Sequence, residues 1–81
     1  MITINDFING NIDIAARVLI YDCRKNKSWK DKKAPDYEIK DFEKGVKLPE
    51  EILALRITYI TIADDAIIIE CKENTNNWGW C

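Results

Sequence analysis

The sequence predicts a single α+β domain, with about four mostly antiparallel strands and two short helices in the order α-β-β-α-β-β. Three observations predict it. Residues 57–63 and 66–71 are β-branched runs on either side of Asp64-Asp65, the pattern of a hairpin. Around Val18-Leu-Ile-Tyr21 the chain is again β-branched and aromatic, as strands are. Two helix-start signals, Thr3 with Asp6 and Pro49 with Glu50-Glu51, stand where strand patterning is missing.

In chain order, Thr3 supplies a hydroxyl N-cap and Asp6 the acid three residues on, so a helix over 4–9 is expected, ending at Gly10. Ile4, Phe7 and Ile8 share its apolar face. Residues 15–23 predict a strand. Its two faces, Ala16-Val18-Ile20 and Arg17-Leu19-Tyr21, are both largely apolar, which suits a central strand covered on both sides. Residues 24–35 are polar and basic and end at Pro35. A shorter strand over 37–42 follows, with Tyr37, Ile39 and Asp41 on one side, until Gly45 breaks it.

Leu48-Pro49-Glu50-Glu51 opens the second helix: proline suits the first helical position and the acids complement the helix dipole. Ile52, Leu53 and Leu55 are its apolar contacts. In the hairpin, a turn at Asp64-Asp65 sets Ile62 against Ile67, Ile60 against Ile69 and Thr58 against Cys71. Alternation then buries that set and leaves Tyr59, Thr61, Ile68 and Glu70 half-exposed on the other face. The last strand is expected at a sheet edge. Residues 1–73 thus form one domain, and 74–81 a tail carrying Trp78 and Trp80.

Several chemistries are excluded or left without support. The chain has no histidine, which removes Ser-His and Cys-His nucleophile pairs and most zinc hydrolase sites. Its three glycines are isolated, so nothing resembles a phosphate-cradling loop. Cys23, Cys71 and Cys81 are odd in number and form no Cys-x-x-Cys pair, which fits free thiols. Asp64, Asp65 and Asp22 are too few oxygen ligands for a divalent ion, and turn chemistry accounts for the adjacent pair. No enzyme activity, cofactor or metal is expected. No apolar run approaches the roughly 20 residues of a membrane span, and the first residues lack a signal-peptide pattern, so a cytoplasmic location is expected.

Charge is unevenly spread. Residues 24–33 hold six basic residues and one acid, net +5, while the rest of the chain is net −7. Lys25, Lys27, Lys30, Lys32 and Lys33 surround Trp29, an arrangement suited to a nucleic-acid backbone with one base stacked on the indole. A solvated loop kept soluble by its lysines explains the same run. Asp36, Glu38, Asp41, Glu43, Glu50 and Glu51 form an acidic group that could imitate phosphates, although three lysines interrupt it. Trp78 and Trp80 either close the core or contact a partner, tryptophan being enriched among binding hot spots.

Val18-Leu-Ile-Tyr-Asp22, Leu48-Pro-Glu-Glu-Ile-Leu53 and the hairpin sequence from Ile57 to Glu70 resemble short phage and prophage proteins of Gram-positive bacteria. In those proteins a strand ending in Tyr-Asp, a Pro-Glu-Glu helix and a final hairpin recur. The resemblance covers about two thirds of the chain. Here the basic stretch around Trp29 stands in place of a short turn, and the tryptophan tail is additional. The shared motifs are structural and carry over no catalytic residue. Such proteins include inhibitors of bacterial defence, anti-CRISPR proteins among them. The resemblance implies a non-catalytic, stoichiometric inhibitor of a defence nuclease or complex. The expected partner is a macromolecule, with protein ahead of single-stranded nucleic acid, and the chain a monomer or homodimer.

Overall fold

The computed structural model describes residues 1–10, 14–40 and 47–74. Along the chain run α1 (Ile4–Ile8), β1 (Arg17–Asp22), a 3₁₀ turn (Trp29–Asp31), β2 (Tyr37–Ile39), α2 (Glu50–Leu53), β3 (Arg56–Ala63) and β4 (Ala66–Lys72). The class and element order are those the sequence predicts. The strands form one sheet in the order β2-β1-β4-β3. The β1–β2 and β3–β4 pairings are antiparallel, whereas β1 and β4 run parallel.

That parallel pairing places β4 inside the sheet, so the final strand is not an edge. The edges are β2 and β3. The location suits the residues: Ile67-Ile68-Ile69 is a continuous apolar run, as strands covered on both faces require, while β3 is interrupted by threonines.

Local chemistry starts and stops the elements. Thr3 accepts from the Asp6 amide and the Asp6 carboxylate accepts from the Thr3 amide, the complete capping box. At the other end of α1, a Cβ on Gly10 would lie 2.5 Å from the Asp6 carbonyl oxygen, which only glycine avoids. Pro49 occupies the N-cap of α2 rather than its first turn. Main-chain bonds from Ile4 N to the Leu55 oxygen (2.9 Å) and from Ile57 N to the Ile2 oxygen (2.8 Å) fasten the first residues to the start of β3.

One face of the sheet is covered by the helices. Val18, Ile20, Ile39, Ile69 and Cys71 pack there with Ile4, Ile8, Ile52 and Leu55. The opposite face carries Tyr21, Cys23 and Ile68, with Leu19, Trp29 and Ala63 against them. The basic segment therefore supplies cover for Ile68 through the Trp29 ring. Cys23 and Cys71 are buried free thiols, and burial pushes the Cys71 thiol up to about 12. Cys81, Trp78 and Trp80 lie outside the described residues, as do Asp41 and Phe42 at the end of the strand expected over 37–42.

The hairpin turn is as expected, with Asp64 and Asp65 at φ 53° and 60°, both left-handed as a two-residue type I′ turn demands. It sets Ile62 opposite Ile67 and Ile60 opposite Ile69. Further along, a bulge intervenes, so that Cys71 faces Ile57 and Glu70 faces Tyr59, not Thr58 facing Cys71. Burial departs further from expectation. Ile69 is fully buried, but Ile60 and Ile62 are 48% and 75% exposed. The buried helix residues cluster with β1, β2 and β4, and Ile57 at the start of β3 packs against them, whereas Ile60 and Ile62 share the face without sharing its cover. On the reverse face Ile68 and Glu70 are buried, where half-exposure was expected, because the Trp29 segment lies over them.

Candidate functional site

The basic segment is held to the sheet by its own charges. Arg24 donates from Nε and Nη2 to the two carboxylate oxygens of Asp22, at 2.9 and 2.6 Å. Lys32 Nζ lies 2.9 Å from Asp36 Oδ2 and donates to the Asp22 carbonyl oxygen at 2.9 Å. The Asp22 amide donates to the same Asp36 oxygen at 2.7 Å. Hydrogen bonding raises the Lys32 ammonium above its ordinary value, with Asp36 as the first cause. Lys32 and Asp36 thus form a clasp that closes the segment onto the end of β1. Lys25, Lys27, Lys30 and Lys33 are exposed.

The neighbouring Asp22–Arg24 pair is pH-dependent. The Arg24 side-chain bonds hold the Asp22 carboxyl below the ordinary 3.8, against a smaller upward push from burial. A carboxyl depressed in the folded state stabilises fully above its unfolded value, and the contribution is lost as pH falls through the folded one. The melting temperature should therefore drop on acidification below about pH 4, and Asp22→Asn should flatten that limb. Identical acid limbs in the two proteins would show that the pair does not contribute.

Five of the six basic residues of the segment, all but Lys33, divide between two hollows. Lys25 and Lys32, with Asp22, Arg24, Asn26 and Glu73, line one of about 380 Å³. Lys27 and Lys30 line a second of about 250 Å³ together with Ser28, Trp29, Tyr59 and Glu70. The second is built on the sheet. Tyr21, Glu70 and Tyr59 are successive cross-strand partners on β1, β4 and β3, so they form one row on the reverse face. Trp29 lies beside that row, its ring centroid 5.8 Å from Tyr21 and tilted by 53°. Its amide donates to Glu70 Oε2 at 2.8 Å, and Lys30 Nζ stands 6.0 Å from the indole centre. A capping box at Ser28 and Asp31 fixes the turn that presents the ring.

Glu70 is 8% exposed and lines this hollow. Among the described residues its other carboxylate oxygen, Oε1, has no hydrogen-bond or salt-bridge partner. Neither Tyr59 nor Glu70 is signalled by local sequence, where both read as ordinary hairpin residues. Only the cross-strand register brings them to Trp29.

Beyond Tyr59, β3 continues as an exposed edge. Tyr59, Ile60 and Ile62 are 50%, 48% and 75% exposed, and Ile2, fastened to the start of the strand, is also exposed. The acidic candidates are not assembled into one row. Asp36 is taken by Lys32, and Glu38 points from β2 to the face opposite Ile39 and the helices, 3.8 Å from Arg17. Glu50 and Glu51 lie in the first turn of α2, while Asp41 and Glu43 are outside the described residues. Asp22 is separated from Asp64-Asp65 by the length of β1, since it pairs with Cys71 at the far end of β4 from the turn.

No helix among the described residues is long and apolar enough to cross a membrane. Comparison of the sequence and structure with family models, curated proteins and solved structures found no match.

Proposed function

We propose that this chain is a non-catalytic protein that acts by binding another protein, as phage-borne stoichiometric inhibitors of bacterial defence complexes do in the host cytoplasm. The observation that carries the reading is the outer edge of β3, where Tyr59, Ile60 and Ile62 stand exposed and, past the bridge of Thr3 to Arg56 at the start of the strand, no further strand pairs on that side among the described residues. Unpaired strand edges invite added strands, and natural proteins usually guard them with charge, proline or cover. From Thr58 to Ala63 this edge carries none of the first two. A partner strand would gain main-chain bonds and apolar contacts together. The phage-type element rests on the resemblance of residues 18–22, 48–53 and 57–70.

Affinity capture from lysate of a bacterium harbouring related prophages tests the proposal, with wild type compared against Ile60→Lys/Ile62→Lys. Both positions are exposed, so the variant should fold. A protein held by wild type and by Lys30→Glu, but lost by the edge variant, is the expected result. Equal capture by all three proteins, or none by any, overturns the edge as the docking surface.

A second reading is a small single-stranded nucleic-acid-binding protein using the loop around Trp29. The hollow formed by Lys27, Trp29, Lys30 and Tyr59 supports it, because two aromatic rings beside exposed lysines suit a stacked base with its phosphates.

A further inference from the structure

We propose that the hollow between Trp29 and Tyr59 is a guanine-selective base site, with Glu70 reading the edge of the base. The inference rests on the single-strand reading above and adds the identity of the base. Three features of the site select among guests.

The first is Glu70 itself. A carboxylate this buried ordinarily has its oxygens committed, since an ionised group away from water is costly unless hydrogen-bonded. Here Oε2 takes the Trp29 amide, and Oε1 has no partner among the described residues. No buried side-chain oxygen among the described residues lacks a partner, so Oε1 keeps access to water and stands in the hollow as an open acceptor.

The second is the rim. Lys27 and Lys30 line the same hollow. A guest carrying positive charge, such as a lysine or arginine side chain, would satisfy Glu70 but be repelled there. A nucleotide reverses the balance, its base entering between the rings and its phosphate meeting the lysines.

The third is donor geometry. Guanine presents two adjacent donors, N1–H and the 2-amino group, which match the two oxygens of a carboxylate. Cytosine and adenine each offer one amino group beside a ring-nitrogen acceptor that would face the carboxylate. Thymine has a single N–H between two carbonyl acceptors. Guanine is the base whose edge leaves no acceptor against Glu70.

Fluorescence anisotropy with the full chain and a labelled deoxythymidine octamer carrying one central substitution tests this. The octamer with dG should bind on the order of ten-fold tighter than all-thymidine, as a bidentate contact to a base does. Deoxyinosine, which lacks the 2-amino group, should fall between them. Glu70→Gln keeps an oxygen for the Trp29 amide but places an amide donor against the base. It should retain thymidine binding and lose the preference. Should that variant melt early, Tyr59→Ser, at an exposed position, should weaken every strand by removing one stacking ring. Equal affinity across the octamers, or a preference that survives Glu70→Gln, overturns the guanine assignment alone. Absence of binding to any octamer at low salt overturns the single-strand reading beneath it. Displacement of the dG octamer by free GMP at equal concentration would overturn the role of the strand.

Discussion

Ile69→Ala is expected to destabilise the protein by about 2–5 kcal/mol, the cost of emptying a buried isoleucine site. Ile60→Ala, directly across the hairpin on the same face, should cost less than about 1 kcal/mol. The two residues are identical in type and paired in register, so only their cover differs. Ile69 is fully buried beside Ile20 of the neighbouring parallel strand, with Ile4, Ile8 and Ile52 in the same cluster. Ile60 lies on the outermost strand and is about half exposed. Urea melts of the two variants, analysed with a common slope, decide the matter. Equal losses would mean that β3 is covered and that its edge is not free to dock anything.

Trp29→Ala is the second large expected effect, about 2–3 kcal/mol. That is less than full burial of a tryptophan would give, because the ring is only partly buried. The indole packs on Tyr21, Cys23 and Ile68, so its removal opens the reverse face of the sheet to water. Lys30→Glu, one residue on and exposed, should stay within about 0.5 kcal/mol. Thermal melts of both variants separate two roles that the sequence left joined. A loss at Trp29 of the size seen at Lys30 would show that the ring is not structural cover and serves binding alone. The proposed functions and this cover are compatible: a ring tilted against Tyr21 on one side is held in place where it also lines the hollow.

The edge and the hollow meet at Tyr59, which belongs to β3 and lines the hollow. This gives the two proposed activities distinguishable signatures. Ile60→Lys/Ile62→Lys removes protein capture without altering the floor of the hollow, and Glu70→Gln alters the floor without touching the free edge. A single site serving both would lose both activities in either variant.

The sequence by itself determined the local pieces: the capping box at Thr3 and Asp6, the acids opening α2, the strands, and the Asp64-Asp65 turn with its register through Ile60 and Ile69. Each depends on residues within a few positions of one another, where backbone preference and side-chain bonding act without help from the fold. Tertiary structure decided which strands are neighbours. Parallel pairing of β1 with β4 joins residues about fifty positions apart, as Val18 with Ile67. No local pattern encodes that contact, although the unbroken Ile67-Ile68-Ile69 run was consistent with an interior strand. Once β4 took the interior, β3 had to be outermost, and period-two alternation could no longer tell buried isoleucines from exposed ones. Alternation assigns a side chain to a face of the sheet, whereas burial also requires that something lie over that part of the face. The same long-range register placed Tyr21, Glu70 and Tyr59 in one row under Trp29, and so assembled a hollow from three separate stretches of chain.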